Sequence, residues 1–201
     1  MKIILASGSP RRKELLEQID IEFEVIPSKI EESHSKTEPE EIAKELALLK
    51  ALDIAQNQEG DCLVLGADTI VIQNNKILGK PVDEADALAM LQQLQGNTHD
   101  VYTGVAIIEC RDGIDEEDGG VGFTFNITNH AVKTTVKVMS MTEAQIQTYI
   151  ATGEPMDKAG AYGIQGKFAA YIEAIQGDYY NVVGLPLSYV NAVIQEIISI
   201  K

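Results

Sequence analysis

Short apolar runs alternate with amphipathic runs along most of this chain, and this alternation constrains the fold more than any other feature. Residues 2–6 and 61–72 have the length and apolar content of buried strands. Residues 39–55, in which apolar side chains recur every three to four positions, have the pattern of a helix. Strands and helices that alternate along a chain are typical of an α/β domain. We therefore predict a mixed sheet flanked by helices.

Local signals set the expected element boundaries. Asn74-Asn75 predicts a turn and a hairpin over residues 70–78. Gly66 inside an apolar run predicts that residues 66–68 interrupt the strand or form a bulge. Residues 111–122 are acidic and rich in glycine, which predicts a long solvated hairpin loop. Further helices are predicted over residues 10–19, 83–94, 142–152 and 187–200, and a further strand over 101–110.

The composition limits the class of partner. The chain has 201 residues, with 31 Asp and Glu against 16 Lys and Arg, and a formal net charge of −15. Such a surface repels nucleic acid, whereas a small phosphorylated ligand needs only a local positive site. No stretch has the pattern of a signal peptide or a transmembrane span, so we expect a single cytoplasmic domain over residues 1–201 without membrane contact. Cys62 and Cys110 are expected to be buried thiols rather than a disulfide.

The first turn of the chain has the features of an anion site. A strand over residues 2–6 leads through Ser7-Gly8 into a helix, with Ser9 suited to the N-cap and Pro10 to the first helical position. A helix N-terminus in that setting presents free N–H groups and favours negative charge. Three cationic residues follow at positions 11–13. On an acidic protein this combination predicts a local phosphate site.

Two further segments carry residues with chemical potential. Asp68 lies within an apolar run, where a carboxylate is costly unless it is paired, hydrogen-bonded or bound to a metal, although a carboxylate that caps a turn fits equally well. Residues 157–166 contain three glycines with Lys158 and Gln165, which can wrap a small ligand or form a tight loop. No strand precedes them, which excludes a Rossmann fingerprint. Lys50 and Lys80, taken alone, fit solvated surface lysines. The acidic residues 115–118 fit a solvated tip better than a metal site, because the calcium-loop spacing is absent.

Taken together, the motifs resemble the Maf family of nucleoside triphosphate pyrophosphatases, nearly from end to end. The matching segments are residues 7–12, 31–32, 50, 66–69, 80–81, 96–99, 102–105, 157–166 and 177–186. The main departure is residues 111–129, which are longer than the usual connection and are read as an acidic loop insertion.

The resemblance implies a two-lobed α/β fold with a central cleft, related to the inosine triphosphatases. It implies hydrolysis of a nucleoside triphosphate to the monophosphate and pyrophosphate with a divalent cation, Mg²⁺ or Mn²⁺. Asp68 is implied as the catalytic base, and Glu32 and Asp68 suit the metal. Whether Asp68 serves mainly as base or mainly as metal ligand stays open. The residues predicted to bind the substrate are Ser7, Ser9, Arg12, Lys50, Lys80 and Lys158.

The resemblance also implies a substrate preference. Three positions that differ between subgroups of the family are Arg11, Thr69 and Gln165 here, a combination similar to the subgroup that acts on dTTP and UTP. The alternative is a nucleotide-binding regulator of cell division without significant turnover. The retention of Asp68 and Glu32 favours the enzyme. A homodimer is compatible with the resemblance alone.

Overall fold

The structure is a computed structural model that describes residues 1–114 and 121–199. Its strands are β1 (Lys2–Leu5), β2 (Glu24–Val25), β3 (Cys62–Gln73), β4 (Lys76–Leu78), β5 (Thr98–Ile114), β6 (Val121–Val138) and β7 (Ile172–Gln176). Its helices are α1 (Pro10–Gln18), α2 (Pro39–Ala55), α3 (Glu84–Leu94), α4 (Glu143–Ile150), α5 (Tyr179–Val183) and α6 (Leu187–Ser199). Three short 3₁₀ helices cover Glu154–Asp157, Ala159–Ala161 and Lys167–Tyr171.

The seven strands form one mixed sheet. Its order is β2-β1-β3-β5-β6-β7, and β4 pairs with β3. Strand β1 runs parallel to both of its neighbours, with Leu5 opposite Leu65 of β3. Strand β4 pairs antiparallel with β3, and strand β7 pairs antiparallel with β6. The predicted mixed α/β class is confirmed.

The chain divides into two compact units. Unit 1 comprises residues 1–68, 104–131 and 187–201, and unit 2 comprises residues 69–103 and 132–186. The core of unit 1 contains residues of β1, β3, β5 and α2, among them Ile4, Val64 and Ile108, all less than 1% exposed. Unit 2 contains a ring cluster around the fully buried Phe168, which contacts Tyr149 and Tyr162 with ring centroids 5.1 and 4.9 Å away.

Most predicted elements are present. Helix α2 has the predicted bounds, and the hairpin of β3 and β4 pairs Val71 with Leu78 around the predicted turn. Asn74 and Asn75 have φ angles of 50° and 60°, the left-handed conformation that a tight hairpin turn requires. Cys62 and Cys110 are free and buried, as predicted. No helix in the described part of the chain has both the length and the apolar character needed to cross a bilayer.

The predicted interruption of the strand at residues 66–68 is wrong. Strand β3 continues unbroken from Cys62 to Gln73. Gly66 serves another purpose, because a Cβ at this position would overlap the carbonyl oxygen of Ala47 and lie 2.8 Å from the amide nitrogen of Ala51. The glycine therefore allows helix α2 to approach the sheet rather than bending the strand.

The predicted loop over residues 111–122, and the loop character assigned to residues 111–129, need a similar correction. Strand β5 extends to Ile114, and strand β6 begins at Val121, so all the described residues of these two ranges are strand. Backbone pairing in the sheet outweighs the local turn preference of Asp and Gly here. Residues 115–120, which include the predicted acidic tip, lie outside the described residues.

Candidate active site

The turn between β1 and α1, in unit 1, is where the anion site was predicted. Strand β1 ends at Leu5 and α1 begins at Pro10, with Ser9 at the N-cap as predicted. The Ser9 side chain makes no capping hydrogen bond within the described chain. Instead, the Ser7 hydroxyl accepts from the Ser9 backbone N–H at 3.3 Å and from Arg12 Nη1 at 3.0 Å. The turn therefore binds a guanidinium at the helix N-terminus.

Arg12 is buried, at 9% exposure, yet it lies in a field of carboxylates. Burial lowers the pKa of Arg12, and the negative charges of Asp68 and Glu32 oppose that effect. An arginine side chain stays protonated in proteins under either influence. A permanent positive charge is thus held inside unit 1, near both predicted metal-binding carboxylates.

Lys50 joins the two carboxylates directly. Its ammonium lies 2.5 Å from Asp68 Oδ1 and 2.7 Å from Glu32 Oε1. The Lys50 and Asp68 side chains are 13% and 10% exposed, while Glu32 is 53% exposed. The bond to Asp68 is thus largely removed from water, where an ion pair is stronger than on an open surface. The structure brings Ser7, Arg12, Glu32, Lys50 and Asp68 together within unit 1.

Close packing of α2 on the sheet places Lys50. Three alanines, Ala43, Ala47 and Ala51, follow one another at four-residue intervals on α2 and are all less than 1% exposed. They face two strand glycines: Gly66 meets Ala47 and Ala51, and a Cβ at Gly104 would overlap the Ala43 backbone. Because the strands carry no side chain at these two positions, the α2 backbone and its alanine methyl groups lie directly against β3 and β5. Lys50 precedes Ala51 in this closely packed part of the helix, and its ammonium therefore reaches the Asp68 carboxylate.

The donor set fits a hard divalent cation. Two carboxylates already share one positive group, the Lys50 ammonium, so their oxygens converge on a common point. Among the described residues no group of three or more His, Cys, Asp or Glu side chains could hold a metal. Mg²⁺ is usually bound by one or two carboxylates together with substrate phosphates, so a pair of carboxylates is sufficient.

The other predicted substrate-binding and specificity residues each have different local surroundings. Arg11 is half-buried in α1 of unit 1. In unit 2, Thr69 Oγ1 lies 2.9 Å from Thr103 Oγ1, and Lys80 is exposed after β4. Lys158 is engaged by its own neighbours, because its ammonium donates to the Glu154 carbonyl at 2.7 Å and to Asp157 Oδ1 at 2.6 Å. Their roles as substrate contacts stay predictions.

Gln165 lies at the corner of a tight turn in unit 2. The Gly166 N–H donates to the Gly163 carbonyl at 3.2 Å, which closes a four-residue turn. Ile164, the first corner residue, is buried, whereas Gln165 is exposed. The turn thus buries one corner residue and leaves the other, Gln165, exposed to solvent.

Several buried polar residues of unit 2 were not predicted as functional from the sequence. His99 is 2% exposed in β5, and its Nε2 lies 2.8 Å from the Tyr162 hydroxyl. Asn181 is fully buried and binds the backbone of Thr103 and Val101. For Asn181 the available signal was its position within the aromatic and apolar run 179–183, whereas His99 stands between Thr98 and Asp100 and carries no such signal.

Comparison with known proteins places the chain among well-defined relatives. The sequence model of the family described as "Maf: Maf-like protein" matches residues 2–197. A protein of Lachnoclostridium phytofermentans named dTTP/UTP pyrophosphatase is 49% identical over 93% of this chain and 90% of its own length. A protein of Bacillus cereus with the same name is 52% identical over 93% of this chain and 91% of its own length. A solved HAM1 protein from Coxiella burnetii aligns with 98% of this chain and 99% of its own at 16% identity and a TM-score of 0.47, a likeness too low to support any inference.

Proposed function

The chain belongs to the Maf family, and from that premise we propose that it hydrolyses nucleoside triphosphates to the monophosphate and pyrophosphate, with dTTP and UTP as preferred substrates. Support for the substrates comes from the printed names of relatives about half identical over nine-tenths of the chain. The same names favour turnover over the alternative of a nucleotide-binding regulator.

One observation of the structure carries the proposal. The Lys50 ammonium joins Asp68 and Glu32 beside the buried Arg12, so two carboxylates and two cations meet at the end of an N-terminal anion turn. The carboxylates suit an attacking water and a metal, and the cations suit a polyphosphate. A solely structural ion pair would not require this combination.

The proposed reaction assigns each residue a task. A water attacks the α-phosphorus, the bond to the bridging oxygen breaks, and pyrophosphate leaves with the negative charge. Arg12, Lys50 and the N-terminus of α1 would stabilise that charge, because each carries positive charge or positive dipole near this turn. Asp68 has two alternative roles: it accepts the proton of the attacking water, or it holds the metal.

We further propose that the reaction requires a divalent cation, Mg²⁺ or Mn²⁺. Glu32 and Asp68 would hold it, with substrate phosphate oxygens and water as the other ligands. When bound, the cation supplies charge neutralisation on the phosphate oxygens. Lys50 then contributes its positive charge to the same phosphates.

The test is a product assay on the purified full-length chain. A panel of dTTP, UTP, dCTP, dGTP and ATP is incubated with Mg²⁺, with Mn²⁺ and with a chelator, and pyrophosphate and orthophosphate are measured separately. We expect pyrophosphate and monophosphate from dTTP and UTP, and no turnover with the chelator. Release of orthophosphate with a nucleoside diphosphate would overturn the proposal, because attack would then be at the terminal phosphorus.

A further inference from the structure

The turn that carries Gln165 is braced by a single carboxylate, that of Glu154. Glu154 Oε2 accepts the backbone N–H of Lys167 at 3.0 Å, directly after the turn. Glu154 Oε1 accepts the hydroxyl of Tyr149 at 3.0 Å. That hydroxyl in turn accepts the backbone N–H of Gly163 at 3.3 Å, at the other end of the turn. The Glu154 carboxylate thereby holds both ends of the turn, directly at Lys167 and through the Tyr149 hydroxyl at Gly163.

The glycines of the turn make room for this carboxylate. A Cβ at Gly166 would overlap the Glu154 carboxylate, although the φ of −91° at Gly166 is one that other residues adopt. A Cβ at Gly163 would lie 2.7 Å from Cε of Lys158 and 3.6 Å from Glu154 Oε1. A side chain at position 166 would therefore displace the Glu154 carboxylate without straining the backbone.

The Tyr149 hydroxyl, which donates to the Glu154 carboxylate, is held in place by the packing of its ring. Burial first, and then the charge of Glu154, raise the pKa of Tyr149 above its usual range, so the hydroxyl stays protonated and donates to the carboxylate. The ring packs against Phe168, which is fully buried. The carboxylate is thus attached to the rigid aromatic core of unit 2.

We propose that Glu154 is a positioning residue for substrate specificity, which acts by holding the turn that presents Gln165 to the nucleobase. The backbone of the same residue holds a second predicted substrate residue, because its carbonyl accepts the Lys158 ammonium at 2.7 Å. The inference rests on the proposed function and adds a residue that would not itself touch the base. Displacement of a recognition group by about 1 Å is costly for selectivity, so loss of the brace lowers discrimination.

The experiment measures the discrimination ratio, defined as kcat/KM for dTTP divided by kcat/KM for dGTP. For Glu154→Ala we expect this ratio to fall by about 10-fold. Tyr149→Phe keeps the ring and deletes one hydroxyl, and Gly166→Ala displaces the carboxylate, so both are expected to act in the same direction. Glu154→Gln keeps one acceptor oxygen and is expected to be intermediate. The matched control is Glu173→Gln, an exposed glutamate of unit 2 paired with Lys137 at 2.7 Å, which should leave the ratio unchanged.

Two further arms distinguish positioning from a general loss of structure. In a Gln165→Ala background, Glu154→Ala should produce no additional change in the ratio. Gly166→Ala should likewise add nothing to Glu154→Ala, since the overlapping carboxylate has gone. Hydrogen exchange at the Lys167 amide should be faster in Glu154→Ala than in wild type, independently of turnover.

The outcomes separate the two proposals. A wild-type chain that releases no pyrophosphate from any nucleotide overturns the proposed function. A wild-type chain that discriminates, together with a Glu154→Ala variant of unchanged ratio, overturns the positioning role alone. An equal loss of ratio in the presence and absence of Gln165 also overturns it, because Glu154 would then act through another group.

Discussion

Asp68 is the residue whose replacement tests the proposed chemistry most directly. Its carboxylate is 10% exposed and accepts the Lys50 ammonium at 2.5 Å. Asp68→Asn keeps the shape of the side chain but supplies neither a useful base nor a good ligand for a hard cation. We expect turnover of dTTP to fall by at least about 10²-fold, measured as pyrophosphate release.

The matched control for this variant is Asp61→Asn. Asp61 is an exposed aspartate of unit 1 that pairs with Arg111 at 3.0 Å, away from the Lys50 bridge. It should keep wild-type turnover, and circular dichroism should show both variants folded. Near-wild-type turnover in Asp68→Asn would remove Asp68 from the mechanism.

His99 gives the chain a specific sensitivity to acid. Burial lowers the pKa of His99 to about 4, and the nearby charge of Asp100 only partly opposes this. The unfolded chain, with an ordinary histidine pKa of about 6.5, binds the proton first, so stability falls as the pH decreases from about 6.5 to 4. The loss attributable to His99 is about 3 kcal/mol.

The measurement is the free energy of unfolding against pH for wild type and His99→Gln, which can retain a hydrogen bond to Tyr162. The difference between the two curves should change by most of that amount between pH 6.5 and 4 and stay flat above pH 7. A constant difference at every pH would show that His99 does not titrate in this way.

At the level of single residues, charge in an apolar context was the informative signal. Asp68 could be selected because it interrupts an apolar run, and Arg12 because it follows a turn into a helix. Glu154 could not, since an acidic residue near Gly153 and Pro155 resembles any solvated charge. Its function depends on Tyr149 and Lys167, and only the tertiary structure brings these three together.

Helix α2 supplies the test at the level of secondary-structure elements. Gly66→Ala would place a Cβ against the α2 backbone at Ala47 and Ala51, so the helix must shift away from β3. We expect a loss of about 1–3 kcal/mol in the free energy of unfolding, typical of overpacking. Turnover should fall as well, because Lys50 moves with the helix. Chemical denaturation and pyrophosphate release measure the two effects.

Gly79→Ala is the control for the stability measurement. A Cβ at Gly79 would meet no described atom within 4 Å, and its φ is not in the left-handed region. Its free energy of unfolding should stay within about 0.5 kcal/mol of wild type. Equal losses in the two variants would mean that the approach of α2 to β3 is not what Gly66 provides.

Elements with strong periodicity could be predicted, and those with competing signals could not. The bounds of α2 follow from its apolar spacing and its N-terminal proline, and the β3–β4 turn follows from Asn74-Asn75. Strand β6 was missed although Phe125 and Ile127 alternate with polar residues, a pattern typical of a strand, because the glycine-rich segment directly before them favours a loop. Both side chains are more than one-third exposed in the structure.

The whole molecule carries a large excess of negative charge, which should weaken the folded state at low ionic strength. With a formal net charge of −15, repulsion among acidic side chains opposes compaction. Raising KCl from 0.01 to 0.3 M shortens the screening length several-fold, so we expect Tm at pH 7.5 to rise by roughly 2–4 °C, equivalent to about 1 kcal/mol.

The same salt series at pH 5 serves as the control. The sequence pI is about 4.5, so the net charge is small there and the salt effect should shrink. Differential scanning calorimetry at both pH values gives the comparison. A Tm that falls with KCl at pH 7.5 would show that attractive ion pairs, such as Lys50 with Asp68, outweigh the general repulsion.

The contact between α2 and the strands also limits how this protein can change through mutation. Its strand side consists of Gly66 and Gly104, which have no side chain to lose, and its helix side consists of alanines. Only Ala→Gly reduces the volume further, and each such change costs about 1 kcal/mol of helix stability. A bulkier residue at one of these positions therefore can hardly be compensated by a smaller residue at another. In a saturation-mutagenesis library, bulkier residues should be depleted at all of these positions. The short distance between Lys50 and Asp68 therefore depends on glycine and alanine, the smallest residues that the genetic code supplies.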